Sequence, residues 1–340
     1  MRILLAIVAI ATLWIGSQAM ALDATTWGEA RARLVEADGR VVDADNGGVS
    51  HSEGQGYAMV VAVAMDDRAT FELLWSWTTQ HMARSDHRLF SWKYDPAANP
   101  PIVDPNNATD GDIMIAWALS RAAGQWGVPA YAAASTEIRA AIHDNLVRQV
   151  AGRTVLLPGL EGFSNDNGVT LNLSYLIFPA LKDFAKADPA AGWDALINDG
   201  LALLLDARFG RFGLNPDWLH LGADGSLAAT ATPPPRFGFD AVRIPLYLVW
   251  GGEGRAEMLA PFTQFWSGLN AQGKPLPGWV DLRNGQVADY PGPRGYVMVQ
   301  LLALGTQAIT TSDLPPADSY YSTMLSLLAM IAASEQDRYR

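Results

Sequence analysis

The chain is expected to fold as a mostly helical, single-domain protein, and three observations carry that expectation. Apolar residues recur at i, i+3 and i+4 in eleven segments. Strand-like patterns are weak, the best being short stretches at 86–94 and 206–214. No low-complexity linker or abrupt change of composition divides the chain, and the Pro run at 233–235 is too short to be one.

The N-terminus, MRILLAIVAIATLWIGSQAMA, has one Arg, an apolar run from Ile3 to Gly16, and Ala19-Met20-Ala21. These are the three parts of a secretory signal peptide. The run is short for a membrane span, which needs about 20 residues. Cleavage near Ala21 and a periplasmic or secreted protein are expected, with one domain over 22–340; an uncleaved anchor is the alternative. The first helix of the mature chain runs over 25–37 and is broken by Asp38-Gly39. Further helices are expected near 53–65, 68–83, 110–125, 129–149, 169–184, 189–206, 238–249, 253–270, 293–307 and 316–334. Connections alternate between short ones, such as Asp66-Asp67 and Gly251-Gly252, and long ones at 84–109, 150–168, 207–237 and 271–292. Long loops in a compact domain usually carry function, so one face of a helical scaffold is expected to be decorated.

Composition narrows the function. The 340 residues carry a net charge of −11, which argues against nucleic acid and anionic membrane surfaces as partners. With no cysteine, disulfides, thiolate metal sites and cysteine nucleophiles are excluded. The sequence has no HExxH, His cluster or phosphate-binding Gly loop, so neither metal nor nucleotide cofactor is expected. The 12 Trp and 10 Tyr serve either as core or as platforms for apolar ligand faces such as sugar rings.

Three stretches place an acid at a helix start after a loop. In His51-Ser52-Glu53-Gly54-Gln55-Gly56-Tyr57, Ser50-x-x-Glu53 and Ser52-x-x-Gln55 both match a capping box. A capping box does not account for two glycines at a cost of about 1 kcal/mol each in a helix; they suggest a close approach to the backbone. In Thr109-Asp110-Gly111-Asp112, two acids flank a glycine ahead of an apolar face, and capping again competes with chemistry. In Phe237-Gly238-Phe239-Asp240-Ala241-Val242-Arg243, the acid and the base three residues apart can pair in an apolar setting. Three carboxylates on one face can divide the work of glycoside hydrolysis between a proton donor, an activator of water and a grip on the sugar.

These motifs resemble glycoside hydrolase family 8, and within it the periplasmic endoglucanases of bacterial cellulose-synthesis operons. The resemblance rests on SEGQGYAM at 52–59, LFSWKYDP at 89–96, ATDGDIMIAWALSRAAGQW at 108–126 and RFGFDAVRIP at 236–245. It covers nearly the whole mature chain; Ser120 departs from the pattern, which usually has an aliphatic residue or Gly there. The resemblance implies an all-α (α/α)6 barrel of six helical hairpins, with the substrate cleft at one end. It implies hydrolysis of β-1,4 glycans, commonly with inversion, and a task in cellulose synthesis and export, with the export machinery as partner. By motif position, Glu53 corresponds to the general acid, Asp240 to the general base, and Asp110 to the acid that binds the distorted sugar beside the scissile bond, which older family descriptions call a nucleophile. Candidate glycan contacts are Arg243, Asp112, Phe239, Trp92, Tyr94, Trp218 and Tyr290, with Phe163 and Trp279 as further loop aromatics. Asn165-Asp166-Asn167 can bond sugar hydroxyls or make a turn, and His51 can shuttle protons or brace its loop. Alternatives are a chitosanase or xylanase of the same family and a non-catalytic glycan-binding assembly factor.

Overall fold

The computed structural model describes residues 22–305 and 318–339. The expected signal peptide and the interval 306–317, where two expected helices end and begin, lie outside the described residues. Eleven α-helices are present among those described: α1 Ala24–Leu34, α2 Ser52–Ala64, α3 Arg68–His81, α4 Thr109–Trp126, α5 Pro129–Leu146, α6 Phe178–Ala187, α7 Trp193–Asp206, α8 Arg243–Trp250, α9 Ala256–Ala271, α10 Arg294–Leu304 and α11 Tyr320–Ser334.

Burial sorts them into two layers. Along α2, α4 and α11, the runs Tyr57–Val63, Ile113–Leu119 and Met324–Ala332 are buried without interruption. A helix apolar on all sides belongs inside a protein. On α3 and α5 only one stripe is buried, Phe71, Leu74, Trp77 and Thr78 on the first and Tyr131, Ser135, Ile138, Ile142 and Leu146 on the second. The inner helices α2, α4, α6, α8, α10 and α11 pack each on the next, and α11 returns to α2, closing a ring. The outer helices α3, α5, α7 and α9 each pack on the inner helix that precedes them, and α1 packs on α11. This is the (α/α)6 toroid. Inner helices lead outward through short turns; Gly127 at φ 65° ends α4 and Pro129 opens α5. Outer helices lead back inward through the long segments, so the loops gather at the N-terminal ends of the inner ring.

Those loops contain more β-structure than the sequence suggests. Strands are β1 Ser50–His51, β2 Lys93–Tyr94, β3 Val147–Val150, β4 Arg153–Leu156, β5 Ser164–Asn165, β6 Gly168–Leu171, β7 Leu219–Gly222, β8 Leu227–Ala229, β9 Arg236–Phe237 and β10 Val280–Asp281. The largest sheet has order β5-β6-β7-β8 and is antiparallel throughout. The helix expected over 169–184 is therefore corrected: Val169 and Thr170 pair with Leu221 and His220, and α6 begins only at Phe178. Their partners lie some fifty residues away, out of reach of a local pattern. Similarly, α5 stops at Leu146, where β3 and β4 form a hairpin, and α8 starts at Arg243, after β9 has paired with β10. Of the two strand candidates, 86–94 contributes β2 and isolated bridges at Phe90 and Ser91, and 206–214 an isolated bridge between Phe209 and Leu214.

Candidate active site

The entrance to α2 is set by pairing across loops. Ser50 and His51 pair with Tyr94 and Lys93, and Ser52 N–H donates to Trp92 O at 3.0 Å. The expected capping box does not form. Gln55 is buried and turns away, its Oε1 accepting from Val41 N–H at 2.6 Å and its Nε2 donating to Thr78 Oγ1 at 2.8 Å. The glycines are explained by contact. A Cβ at Gly56 would lie 2.6 Å from Met114 Cβ, and one at Gly111 would lie 2.3 Å from Ser52 Oγ and 2.8 Å from Glu53 N. A Cβ at Gly54 would lie 2.0 Å from the Tyr320 hydroxyl. Removing side chains at these points lets the first turns of α2, α4 and α11 converge, and with them Glu53 and Asp110.

Arg243, at the start of α8, is the hub. Its Nη1 donates to Asp110 Oδ2 at 2.9 Å and to Tyr57 Oη at 2.8 Å, and also pairs with Glu53 Oε1. Its Nη2 donates to Asp240 Oδ1 at 2.7 Å. The Tyr57 hydroxyl donates to Glu53 Oε1 at 2.7 Å. The three carboxylates are not equivalent. The side chains of Glu53 and Asp240 retain 20% and 26% exposure, whereas that of Asp110 retains 3%, so two stand open at the pocket and the third lies deepest in it. Burial and then the Glu53 charge push the Asp110 carboxyl well above the usual carboxylate range. Burial also raises the pKa of Asp240, against the opposing pull of Arg243. One cation thus serves three carboxylates at the positive ends of several inner helices, where negative charge is favoured.

Asp112 lies apart from this group. It is fully buried, its Oδ1 accepting from Phe90 N–H at 2.9 Å and its Oδ2 from Asn107 Nδ2 at 2.7 Å. Two residues beyond Asp110 on a helix, it faces another side. The structure thus corrects the expected glycan contact at Asp112: the carboxylate ties two points of the α3–α4 loop to α4.

A pocket of about 270 Å³ opens over the carboxylates, lined by Glu53, Asp110, Asp240 and Arg243 together with His51, Trp92, Tyr175, Tyr320 and Tyr321 among others. Trp92 forms its wall, stacked on His51 at 6.0 Å, with its Nε1 donating to Asp104. His51 is 3.8 Å from Asp43, and burial lowers its pKa. From the pocket, Tyr175 meets Trp218 at 6.4 Å, and Trp218 stacks on Phe163 at 5.8 Å, an aromatic path across the loops. Phe239 and Tyr290 are exposed, at 50% and 47%. Phe239 stands between Tyr296 and Tyr321. Trp279 is covered by Arg236 at 3.8 Å. Tyr94 packs edge-on against Trp77 and His81 and is not among the pocket residues. Asn165 Oδ1 accepts from Asn167 N–H at 2.8 Å, which makes the stretch a turn.

Several groups around the site escape a reading of motifs. Tyr57 reads as core, yet its hydroxyl joins Arg243 to Glu53. Tyr175, Tyr320 and Tyr321 come from a short helical turn and from the first turn of α11, outside every motif singled out in the sequence. Asn172 and Asp217 belong to loops whose course depends on the four-stranded sheet; the only signal for Asp217 is its neighbour Trp218. Among the described residues, no group of three or more His, Cys, Asp or Glu is arranged to hold a metal ion, and no helix is long and apolar enough to cross a membrane.

A helical toroid whose inner helices begin at clustered carboxylates, beside an aromatic-lined pocket, defines a carboxylate-dependent glycan hydrolase. The chain belongs to the glycosyl hydrolases family 8, whose model matches residues 2–335. It is 41% identical to an endoglucanase of Cellulomonas uda over 307 residues, covering 88% of this chain and 84% of that protein. It is 39% identical to a probable endoglucanase of Novacetimonas hansenii over 317 residues, covering 92% and 91%. The crystal structure of endoglucanase Cel10 from Klebsiella pneumoniae superposes with a TM-score of 0.86 at 41% identity, covering 92% of this chain and 99% of that one.

Proposed function

We propose that the protein cleaves internal β-1,4-glucosidic bonds of cellulose by acid–base catalysis with inversion. The observation that carries this is the gathering of Glu53, Asp110 and Asp240 on one guanidinium at the pocket, with Glu53 and Asp240 the more exposed of the three. The names of the relatives support the substrate. In the reaction, Asp240 takes a proton from water as the water oxygen bonds to the anomeric carbon. The glycosidic C–O bond breaks, and Glu53 passes its proton to the departing oxygen. Water attacks directly, so no protein nucleophile is needed, and acid and base are expected to stand about 6.5–9.5 Å apart across the bound sugar. Burial and the charge of Glu53 favour the protonated form of Asp110, and in either form its carboxyl can hydrogen-bond a sugar hydroxyl beside the bond cleaved. The Tyr57 hydroxyl and Arg243 hold Glu53 in place. Tyr175, Trp218 and Phe163 provide ring faces for glucosyl units beyond the bond cleaved. Chain-internal cleavage suits an open path of this kind. We further place the enzyme outside the cytoplasmic membrane, working on glucan during cellulose export alongside the export machinery; the signal-like N-terminus and the family resemblance support this.

Reducing-sugar release from carboxymethyl cellulose tests the proposal, with Glu53→Gln and Asp240→Asn beside the wild type and chitosan and xylan as controls. Each variant is expected to stay folded and to lose about 10²–10⁴-fold in kcat. Cleavage of chitosan or xylan in place of cellulose overturns the substrate. A folded wild type that cleaves none of the three overturns the enzyme in favour of a glycan-binding factor.

A further inference from the structure

Asp217 lies in the loop just before β7 and belongs to none of the motifs. Its backbone and its side chain both hold the segment that presents Asp240. Asp217 N–H donates to Arg236 O at 2.7 Å. Its Oδ1 accepts from Gly238 N–H at 2.9 Å and from Ala241 N–H at 2.8 Å, the residues on either side of Phe239-Asp240. The fit leaves no slack: a Cβ at Gly238 would lie 2.8 Å from Asp217 Oδ2 and 3.4 Å from Trp279 Cβ. Arg236, just before the turn, is itself turned over Trp279. On the other side of the turn, Tyr321 donates to Phe239 O and Arg243 pairs with Asp240.

We propose that Asp217 is a positioning residue for the base: it clamps the 238–241 turn so that the Asp240 carboxylate is aimed at the attacking water, and its own charge, when present, strengthens Asp240 as a base. This rests on Asp240 being the base, as proposed above. Charge-assisted bonds from backbone N–H groups to a carboxylate are about twice as strong as neutral ones, so the clamp tightens as Asp217 ionises. Burial and then the charge of Asp240 push the Asp217 carboxyl up to about 7. The titratable and charged groups that surround the pair are Arg243 of α8, Glu53 of α2, Asp110 of α4, Tyr175, Tyr296 of α10 and Tyr321 of α11. Burial raises the pKa of Tyr57, Tyr175, Tyr247, Tyr296, Tyr320 and Tyr321, so these tyrosines remain neutral across the range of interest. Burial raises Asp110 and Asp240 as well, and both sit on Arg243; Asp217, held by backbone N–H groups and pushed up to about 7, is the further carboxyl beside Asp240 whose charge changes near neutrality.

The test is steady-state kinetics on carboxymethyl cellulose from about pH 5 to pH 9 for wild type, Asp217→Asn and Asp217→Ala, with Asp240→Asn in parallel. The Ala variant loses both acceptor bonds; kcat is expected to fall about ten- to a hundredfold, the cost of a misaimed group, with KM nearly unchanged. The Asn variant keeps a carbonyl oxygen for both N–H groups and recovers most of that loss. Its ratio to wild type is expected to depend on pH: near unity below about pH 6, where Asp217 is protonated, and falling above about pH 8, where only the wild type is charged. A packing role alone gives a ratio that does not vary with pH, and that result, or a loss in KM with kcat intact, overturns the proposal. If the Ala variant fails to fold, the pH dependence of the Asn ratio decides alone. Retained activity in Asp240→Asn overturns the assignment of the base itself; loss there with a flat Asp217→Asn ratio overturns only the role of Asp217.

Discussion

The two ends of the helical ring are built from the same residue types to opposite effect. At the far end, reached about 16 Å along α4 from Asp110, Arg121 pairs with Glu335, which also accepts from Trp250 Nε1 at 2.9 Å. Asp183 there accepts from Trp117 Nε1 at 2.8 Å, Tyr339 Oη at 2.9 Å and Arg338 at 3.2 Å. Each of these carboxylates has its own cation and a full set of donors. At the loop-covered end, one Arg243 serves three carboxylates, a fourth stands behind Asp240, and the hydroxyls of Ser52 and Tyr320 have no partner among the described residues. The far end also has the larger cavity, about 560 Å³. Size does not distinguish the working end. Unbalanced charge and unmet hydrogen-bonding capacity do, because a substrate supplies what the fold withholds.

The sharpest way to break this comparison is to cut the balanced network. Arg121→Met strands the largely buried Glu335, and urea denaturation is expected to show a loss of about 3–5 kcal/mol. kcat, measured where the variant remains folded, should stay within about twofold of wild type, since the site is distant. A matching fall in kcat would show that the two ends are not independent.

Gly111→Ala probes the other end through its packing. The added methyl meets the backbone of Glu53, not merely a flexible side chain. A cost at the upper end of about 1–3 kcal/mol is expected in denaturation. Because the methyl pushes Glu53 from Asp110, kcat should drop by about tenfold or more. Destabilisation with kcat intact would mean that the close approach serves the fold and not the pair of acids.

Asp112→Asn separates the two acids that flank that glycine. The new amide sets an NH2 group against Asn107 Nδ2, whose own carbonyl is taken by Leu160 N–H. A loss of about 1–2 kcal/mol is expected, with kcat and KM unchanged. Burial pushes Asp112 up to about 7 from 3.8, so the protonated form is the one the fold favours. Its contribution is greatest below the unfolded pKa and is lost as pH rises through about 7, so the stability gap between wild type and variant should narrow over that range. A gap that widens instead would show that the native fold prefers the ionised carboxylate.

Much of this molecule is legible locally. The inner and outer helices follow from continuous or one-sided apolar patterns, and all eleven described helices overlap expected ones. Glu53, Asp110, Asp240 and Arg243 stand out because helix capping alone does not account for the glycines beside the first two acids or for an acid–base pair in an apolar setting. The strands were hidden for a definite reason: Val169 and Thr170 satisfy a helical pattern as well as a strand, and only β7, far along the chain, decides between them. The same limit applies at the site. Gln55 fits a capping box until Val41 and Thr78 claim its side chain. Asp110 and Asp112 are alike in sequence until packing turns one toward Arg243 and buries the other behind Phe90. Composition and periodicity marked out the helices, and acids beside glycines at helix starts drew attention to Glu53 and Asp110. Tertiary structure alone decided which acids share a cation and which tyrosines surround them, and that Asp217 braces Asp240, because those relations join segments that no spacing in the sequence connects.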